Sequence, residues 1–220
     1  MTPTESAAAK PQLITPTFVL AWVANFCQFL VFYLFVTTMA LYAVESFGAS
    51  DTVGGFASSA FVLGATCMRV FSGWIVDRVG HKKAALASLA FVTVVAVAYF
   101  FAHNVAVLII VRMVHGAAYA LTSTALMAVA QSVIPHERRA EGTGYFALGT
   151  TLATAFGPAI GLLLANNIGY TTLFAVALGA NIVSLILALV LRYPAEVSSE
   201  KPAFRLRNAV HPNVVPIGLF

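Results

Sequence analysis

The chain has 220 residues, of which 60% are hydrophobic and 9% are charged, whereas soluble domains typically carry about 25% charged residues. This composition excludes an ordinary globular enzyme or binding domain and predicts an all-α integral membrane protein. The net charge of +4 does not indicate a nucleic-acid partner, because the cations cluster in loops between apolar stretches and so report membrane topology.

Six apolar stretches are each long enough to cross a hydrocarbon layer about 30 Å thick. The sequence predicts a six-helix transmembrane bundle over residues 17–192, after an N-terminal tail at 1–16 and before a linker at 193–213. Residues 214–220 are expected to begin a seventh helix. No cleaved signal peptide is expected, since the first apolar run is too long for one. The predicted helices span about 18–44, 52–76, 84–102, 105–134, 143–164 and 171–191.

Helix 1 carries three polar residues, Asn25, Gln28 and Tyr33, and helix 2 carries Arg69 about two turns inside its end. Polar side chains within a span normally face protein or a water-filled cavity. The helix 1 residues therefore either hydrogen-bond between helices or contact a substrate. Arg69 either snorkels to the nearer membrane surface or pairs with a group that the sequence does not reveal.

A dense charged turn at 73–83 separates the second and third apolar stretches. Gly73 is expected to let a neighbouring backbone come close, and Gly80 to take a positive φ in the reversal. Asp77 is expected to face the N-terminus of a helix or to pair with a cation, since a lone carboxylate there is costly. The remaining charges are typical of an inner-face loop: Arg78, Lys82 and Lys83.

Helix 4 places Arg112, His115 and Tyr119 on one face, at spacings of three and four residues. Arg112 lies well inside the span, too far from both ends for contact with water to account for its charge. The ordinary pKa of histidine is about 6.5, so His115 could change charge in a physiological gradient. A structural hydrogen-bonding role for His115 is the alternative.

Helix 5 has small residues at every fourth position: Gly149, Ala153, Gly157 and Gly161. Such a stripe lets another helix pack closely. Pro158 removes one backbone hydrogen bond beside Gly157 and favours a bend. The stripe either serves packing alone or takes part in a conformational change.

The distribution of charge predicts the orientation of the bundle. Ten of the twelve cations fall on one side, and the other two, Arg69 and Arg112, lie within spans. The positive-inside rule therefore places both termini in the cytoplasm of a multi-pass protein of the cell (inner or plasma) membrane. Six spans divide into three plus three, as in an inverted repeat.

Three motifs resemble those of the major facilitator superfamily. The turn from Gly73 to Lys83 matches its signature G-x-x-x-D-R/K-x-G-R/H-R/K-R/K at every defined position. Arg112 and Gly116 match R-x-x-x-G-x-x-x-A on helix 4. Residues 157–161 resemble the antiporter motif G-x-x-x-G-P-x-x-G-G of helix 5, with Ala153 in place of its first glycine and Leu162 in place of its last.

The resemblance implies the N-terminal six-helix half of a transporter, in the exporting drug and metabolite branches that exchange protons. Its expected partners are a small-molecule substrate, protons, the lipid bilayer, and a missing C-terminal half or a second copy of the chain. Asp77 and Arg78 would latch a gate, and Arg112 would take part in proton coupling or substrate binding. Uptake by the same fold, or a half-length protein without transport activity alone, are the alternatives.

Other functional classes fit the sequence less well. An intramembrane protease needs a serine motif and a later histidine, and a voltage sensor needs regularly spaced arginines; neither pattern occurs. Cys27 and Cys67 lie inside apolar stretches and indicate no disulfide or metal site. No enzyme activity, cofactor or metal is expected.

Overall fold

The computed structural model describes residues 11–193, and over these residues it contains six long helices and no strand. Each helix is long and apolar enough to cross a membrane, which confirms the predicted fold class. The predicted seventh helix and nearly all of the predicted linker lie outside the described residues. The helices are α1 Pro16–Phe47, α2 Asp51–Val79, α3 His81–Ala98, α4 Val105–Val133, α5 Arg139–Asn167 and α6 Tyr170–Val190.

Side chains just before three helices fix where those helices begin. Thr15 accepts a hydrogen bond from the Phe18 N–H, and Asn104 accepts one from the Val107 N–H at 2.9 Å. Ser50 caps α2 in the same way. These N-caps satisfy backbone donors that have no partner inside the helix, so each chain reversal also starts the next span.

Several helices extend beyond the apolar stretches that predict them. α1 continues past Val44 to Phe47, and α5 begins at Arg139, four residues before the predicted start at Thr143. Polar residues at a helix end keep the backbone hydrogen bonds of the helix while their side chains reach water. Hydropathy therefore marks the apolar part of each helix and not its ends.

The helices pack in a reciprocal pattern. α1 packs on α5 and α6, and α4 packs on α2 and α3. If helices 1–3 and 4–6 are repeats, each of these contacts has its counterpart in the other half of the bundle. The packing therefore fits the predicted three-plus-three arrangement.

The crossing of α2 and α4 depends on two glycines. A Cβ atom added to Gly64 would collide with the Met113 backbone, and one added to Gly116 would collide with the Phe61 carbonyl. The two backbones touch at this point, as happens where membrane helices cross at small residues. This crossing fixes the position of the central part of α4.

The stripe of small residues on α5 packs against α1, which confirms the predicted close approach. A Cβ at Gly157 would lie 2.5 Å from the Tyr33 Cβ, and one at Gly161 would lie 2.6 Å from the Leu34 carbonyl oxygen. α5 continues as one helix through Pro158. The stripe thus brings α5 close to α1 between Trp22 and Leu34.

A buried amide pair joins α1 to α6. Gln28 Nε2 donates to Asn181 Oδ1 at 2.9 Å, and both side chains are almost fully buried. Ser184 adds a hydrogen bond to the Ala24 carbonyl at 3.0 Å. These bonds take up polar groups that the membrane interior would otherwise leave without partners.

Replacing Gln28 by leucine is expected to lower the free energy of unfolding by about 1–2 kcal/mol, because Asn181 then loses a buried partner. The double variant Gln28→Leu, Asn181→Leu should lose less free energy of unfolding than the two single variants lose together, since either single change already breaks the pair. Unfolding of the purified protein in detergent, followed for both single variants and the double variant, measures this. Strictly additive effects would show that the two amides do not interact.

We call the end of the bundle with the Gly80 turn the basic end, because all the exposed cations of the α2–α3 and α4–α5 connections lie there. The other end is called the opposite end. Large apolar side chains on the outer surface are exposed, as in Phe101, Leu189 and Val190. A surface of this kind is expected where lipid surrounds the bundle.

Candidate functional site

Arg112 is fully buried between α4 and α2, about 10 Å from the opposite end. Its Nη2 donates to the Ser58 carbonyl at 2.8 Å, and its Nε donates to the Ala57 carbonyl at 3.4 Å. The guanidinium therefore bonds to the backbone of the neighbouring helix, and no carboxylate of the described part of the chain pairs with it. It ties α4 to α2 one turn away from the glycine crossing.

The remaining contacts of Arg112 are aromatic. Its guanidinium carbon lies 4.8 Å from the centre of the Phe61 ring and 6.0 Å from that of Phe35. Its Nη1 atom is buried and has no hydrogen-bond partner within residues 11–193. A buried cation with an unused donor is costly, and cation–π contacts offset part of that cost. Such a group is a candidate for taking part in a transport step.

His115 is held by a residue of the third helix segment. Its Nδ1 shares a hydrogen bond of 2.9 Å with the hydroxyl of Tyr99, in the short 3₁₀ turn Tyr99–Phe101 that continues α3. Phe61 packs edge-on against the imidazole ring. His115 thus links α3 to α4 next to Arg112, and no pattern in the sequence identifies Tyr99 as its partner.

Tyr119 forms an aromatic cluster with residues of α1 and α2. Its ring lies 5.6 Å from Phe29, 5.7 Å from Phe32 and 5.2 Å from Phe61. Phe29 and Phe32 are only half-buried. The cluster therefore presents a partly open aromatic wall near the middle of the bundle.

The three polar residues of α1 have different environments. Gln28 is bonded to Asn181 in the interface with α6, so its amide serves helix packing. Asn25 is 2% exposed, and no side-chain hydrogen bond joins it to the rest of residues 11–193. Tyr33 is half-buried, lies edge-on to Phe32, and packs on Gly157. Only Tyr33 shares the surface of the aromatic wall.

The charged turn has the predicted backbone, because Gly80 takes φ +94° between α2 and α3. Asp77 is exposed, and within residues 11–193 it has no ion pair, contrary to the expected pairing. Nothing in the described part of the chain lies within 4 Å of a Cβ added at Gly73, so the expected close approach is not made there. Both residues lie on a face of α2 that the bundle leaves uncovered.

The cations of the turn contact aromatic rings. Arg78 lies 5.5 Å from the centre of the Trp74 ring, and Lys82 lies 5.8 Å from that of Tyr193. The Tyr193 hydroxyl donates to the Ala188 carbonyl, and burial raises the pKa of Tyr193 to about 12. Tyr193 is therefore neutral at physiological pH. Lys83 is exposed.

At the basic end, the segment before α1 contacts the start of α5, which the sequence did not predict. Arg138 forms a two-pronged ion pair with Glu141 at 2.7 and 2.8 Å and donates to the Pro11 carbonyl at 2.9 Å. Leu13 is buried against Ile134, next to Gly142. The residues before α1 are thus fastened to the start of α5.

Comparison with known proteins places the chain in a family. The profile of the Major Facilitator Superfamily matches residues 21–218. The chain belongs to the Major Facilitator Superfamily. The fold agrees, since a crystal structure of the peptide transporter POT with sulfate superposes on 92% of this chain with a TM-score of 0.74, at 14% identity. The superposition covers 44% of that transporter.

Several relatives within the superfamily are named for export. The staphylopine export protein of Staphylococcus aureus is 31% identical over 133 residues, which are 60% of this chain and 32% of the relative. The multi-drug resistance efflux pump PmrA of Streptococcus pneumoniae is 29% identical over 161 residues, or 70% of this chain and 39% of the pump. An uncharacterized protein of Mycobacterium tuberculosis is 35% identical over 124 residues, covering 56% of this chain and 29% of that protein. Each match spans well under half of the relative.

Proposed function

We propose that this chain is the N-terminal half of a proton-coupled exporter of small molecules that works by alternating access. The observation that carries the proposal is the superfamily match across residues 21–218, together with relatives named for export and efflux. The partly matching antiporter motif on α5 supports the same direction. The C-terminal half of a longer polypeptide, or a second copy of this chain, supplies the other wall of the transport pathway.

In this proposal Arg112 and His115 are the coupling centre. Arg112 keeps one donor, Nη1, without a partner, and His115 is joined to Tyr99 beside it. A rocking motion that changes the α2–α4 contact would expose the guanidinium to a substrate or to a protonated group. Tyr119 and Tyr33 line the adjoining wall, whereas Asn25 is buried and Gln28 belongs to the α1–α6 interface.

The proton-binding carboxylate is expected outside the described residues. The five acidic side chains within residues 11–193 all lie in loops or near helix ends: Glu45, Asp51, Asp77, Glu137 and Glu141. A carboxylate of the other half would therefore exchange the proton near Arg112, or else His115 takes that role. In both cases the proton is exchanged near Arg112 and His115 of α4.

We further propose that the basic end faces the cytoplasm of the cell membrane and forms the inner gate. Asp77 and Gly73 lie on the uncovered face of α2, where a helix of the other half can contact them. Asp77 would then meet that helix at its positively polarised N-terminus or at a cation. Breaking and remaking this contact would accompany each transport cycle.

Replacing Asp77 by asparagine is expected to reduce efflux at least about tenfold, because an exposed carboxylate that closes a gate through one charged hydrogen bond contributes on that scale. Efflux from preloaded cells of the probe that the wild type exports, the anion naphthalene-2-sulfonate or the cation ethidium, measures it, with membrane insertion checked by immunoblot. Asp51→Asn is the matched control, since Asp51 is equally exposed at the other end of the same helix. Wild-type efflux in the Asp77 variant would remove the gating role.

A further inference from the structure

Arg69 is a cation that the bundle leaves free within the described residues. It lies on α2, its side chain is exposed, and its guanidinium has no hydrogen bond or ion pair with any residue of 11–193. It lies about 15 Å along α2 from the basic end of that helix. At this depth its guanidinium would reach water at the basic end only with the side chain extended toward that end. An unpaired cation at this depth indicates a function.

The direction of the α2 chain makes Arg69 point inward and not toward the nearer membrane surface. Side chains on a helix tilt toward its N-terminus, which for α2 is the opposite end. Ala65 lies one turn closer to that end, four residues before Arg69 on the same face of α2, and packs in one buried cluster with Phe61 and Tyr119. Arg69 therefore extends toward the middle of the bundle, which argues against the snorkelling expected as one alternative.

The cluster that contains Ala65, one turn from Arg69, is aromatic. Phe29 and Phe32 of α1 pack on Tyr119 with half-buried rings, and Met68 lies at the edge of the same cluster. Phenylalanine faces and tyrosine hydroxyls can hold a flat apolar body and orient its polar substituents. Arg69 is the exposed cation of α2 next to this wall, whereas Arg112, on its far side against Phe61, is buried.

The charge of Arg69 determines which polar substituent of a bound molecule the aromatic wall favours. Among residues 11–193 the two cations within spans are Arg69 and Arg112, and no carboxylate lies there to neutralise either. Arg112 is sealed in the α2–α4 interface, whereas Arg69 is open. A cationic ligand would be repelled at this point, and an anionic group would complete an ion pair in a site of low polarity.

We propose that Arg69 binds the carboxylate or sulfonate of an anionic substrate whose aromatic body lies against Phe29, Phe32 and Tyr119. The inference rests on the proposed transport function and specifies the class of substrate. Arg69 is then the residue that selects anions over neutral and cationic molecules of the same shape. Arg112 keeps its separate role, in which it bonds to the α2 backbone at Ala57 and Ser58.

The test compares two probes with the same rings, naphthalene-2-sulfonate and the uncharged naphthalene-2-sulfonamide. Each is dialysed to equilibrium against the full-length transporter in nanodiscs of phosphatidylcholine, with empty nanodiscs as the background. The wild type is expected to bind the sulfonate about tenfold more tightly than the sulfonamide, as one charged hydrogen bond allows. Arg69→Gln should abolish this preference and leave the sulfonamide affinity unchanged, while Arg69→Lys should retain most of it.

Arg139→Gln is the matched control, because Arg139 is also exposed but lies in the connection at the basic end. A wild type without preference for the sulfonate, or a preference that survives in Arg69→Gln, overturns the proposal. An anionic lipid headgroup could bind Arg69 in the same way, and adding phosphatidylglycerol to the nanodiscs tests this. Loss of the sulfonate preference in these nanodiscs identifies the lipid headgroup as the ligand and overturns a substrate role. Failure of the transport function is separate, since it appears as absence of efflux of every probe.

Discussion

Arg112→Gln is expected to abolish transport, lowering efflux about a hundredfold or more. The variant loses two hydrogen bonds from a charged donor to the α2 backbone, at Ala57 and Ser58, and each such bond contributes about 1.5–3 kcal/mol. It also loses the cation–π contacts with Phe61 and Phe35. The hydrogen bonds of Arg112 to the α2 backbone and its unused Nη1 donor are therefore lost together.

Lysine at position 112 is expected to rescue little of this loss. It restores the charge, but a single ammonium group lacks the planar fork that reaches two successive carbonyls while lying between aromatic rings. Efflux per molecule of inserted protein, determined for Arg112→Gln, Arg112→Lys and the surface control Arg139→Gln, measures the effect. Transport at the wild-type rate in Arg112→Gln would exclude Arg112 from the coupling centre.

Gly116→Val is expected to have the largest effect on folding, lowering stability by about 3 kcal/mol or preventing assembly of the bundle. Any Cβ at this position meets the Phe61 carbonyl, which belongs to the backbone of α2 and cannot move aside as a side chain does. The helices must separate, and Arg112 then loses its reach to Ser58. Gly64→Val should act in the same way from the other helix, against Met113.

The control for the glycine crossing is available on the same helix. A Cβ added at Gly55 of α2 meets nothing within 4 Å, so Gly55→Ala should leave the melting temperature of the purified protein within a few degrees of wild type. Thermal unfolding in detergent, read by tryptophan fluorescence, compares the variants. Equal stability of Gly116→Val and Gly55→Ala would show that α2 and α4 do not touch at this point.

Features that depend on one helix or one turn could be predicted from the sequence. The stripe at Gly157 and Gly161 follows from a four-residue spacing, and the positive φ of Gly80 follows from a short reversal between two spans. Such patterns need only the helix period and the conformational freedom of glycine. Membership of the superfamily followed from the same local motifs.

Features that depend on how helices are rotated against one another could not be predicted. Gln28 and Tyr33 are both polar positions of α1, yet one faces Asn181 of α6 and the other lies beside α5. The sequence likewise gave no sign that Arg112 bonds to the α2 backbone or that Tyr99 pairs with His115. Spacing along one helix does not specify which neighbour each face meets.

The uncovered face of α2 explains a further difference. Close approach at Gly73 and a charged partner for Asp77 were both expected, and neither is found within residues 11–193. The superposed transporter is more than twice as long as the matched region, with 44% of it covered. Under the proposed function, both expectations apply to contacts that this face would make with the other half of a transporter.

Proton-driven accumulation by everted membrane vesicles tests the export proposal most directly. With a respiration-acidified lumen, vesicles carrying the full-length transporter should accumulate naphthalene-2-sulfonate or ethidium, and nigericin, which collapses the pH difference, should stop it. Vesicles carrying Arg112→Gln should accumulate neither probe. Accumulation confined to right-side-out vesicles would contradict export in favour of uptake, and accumulation in neither orientation would contradict transport of these probes by this protein.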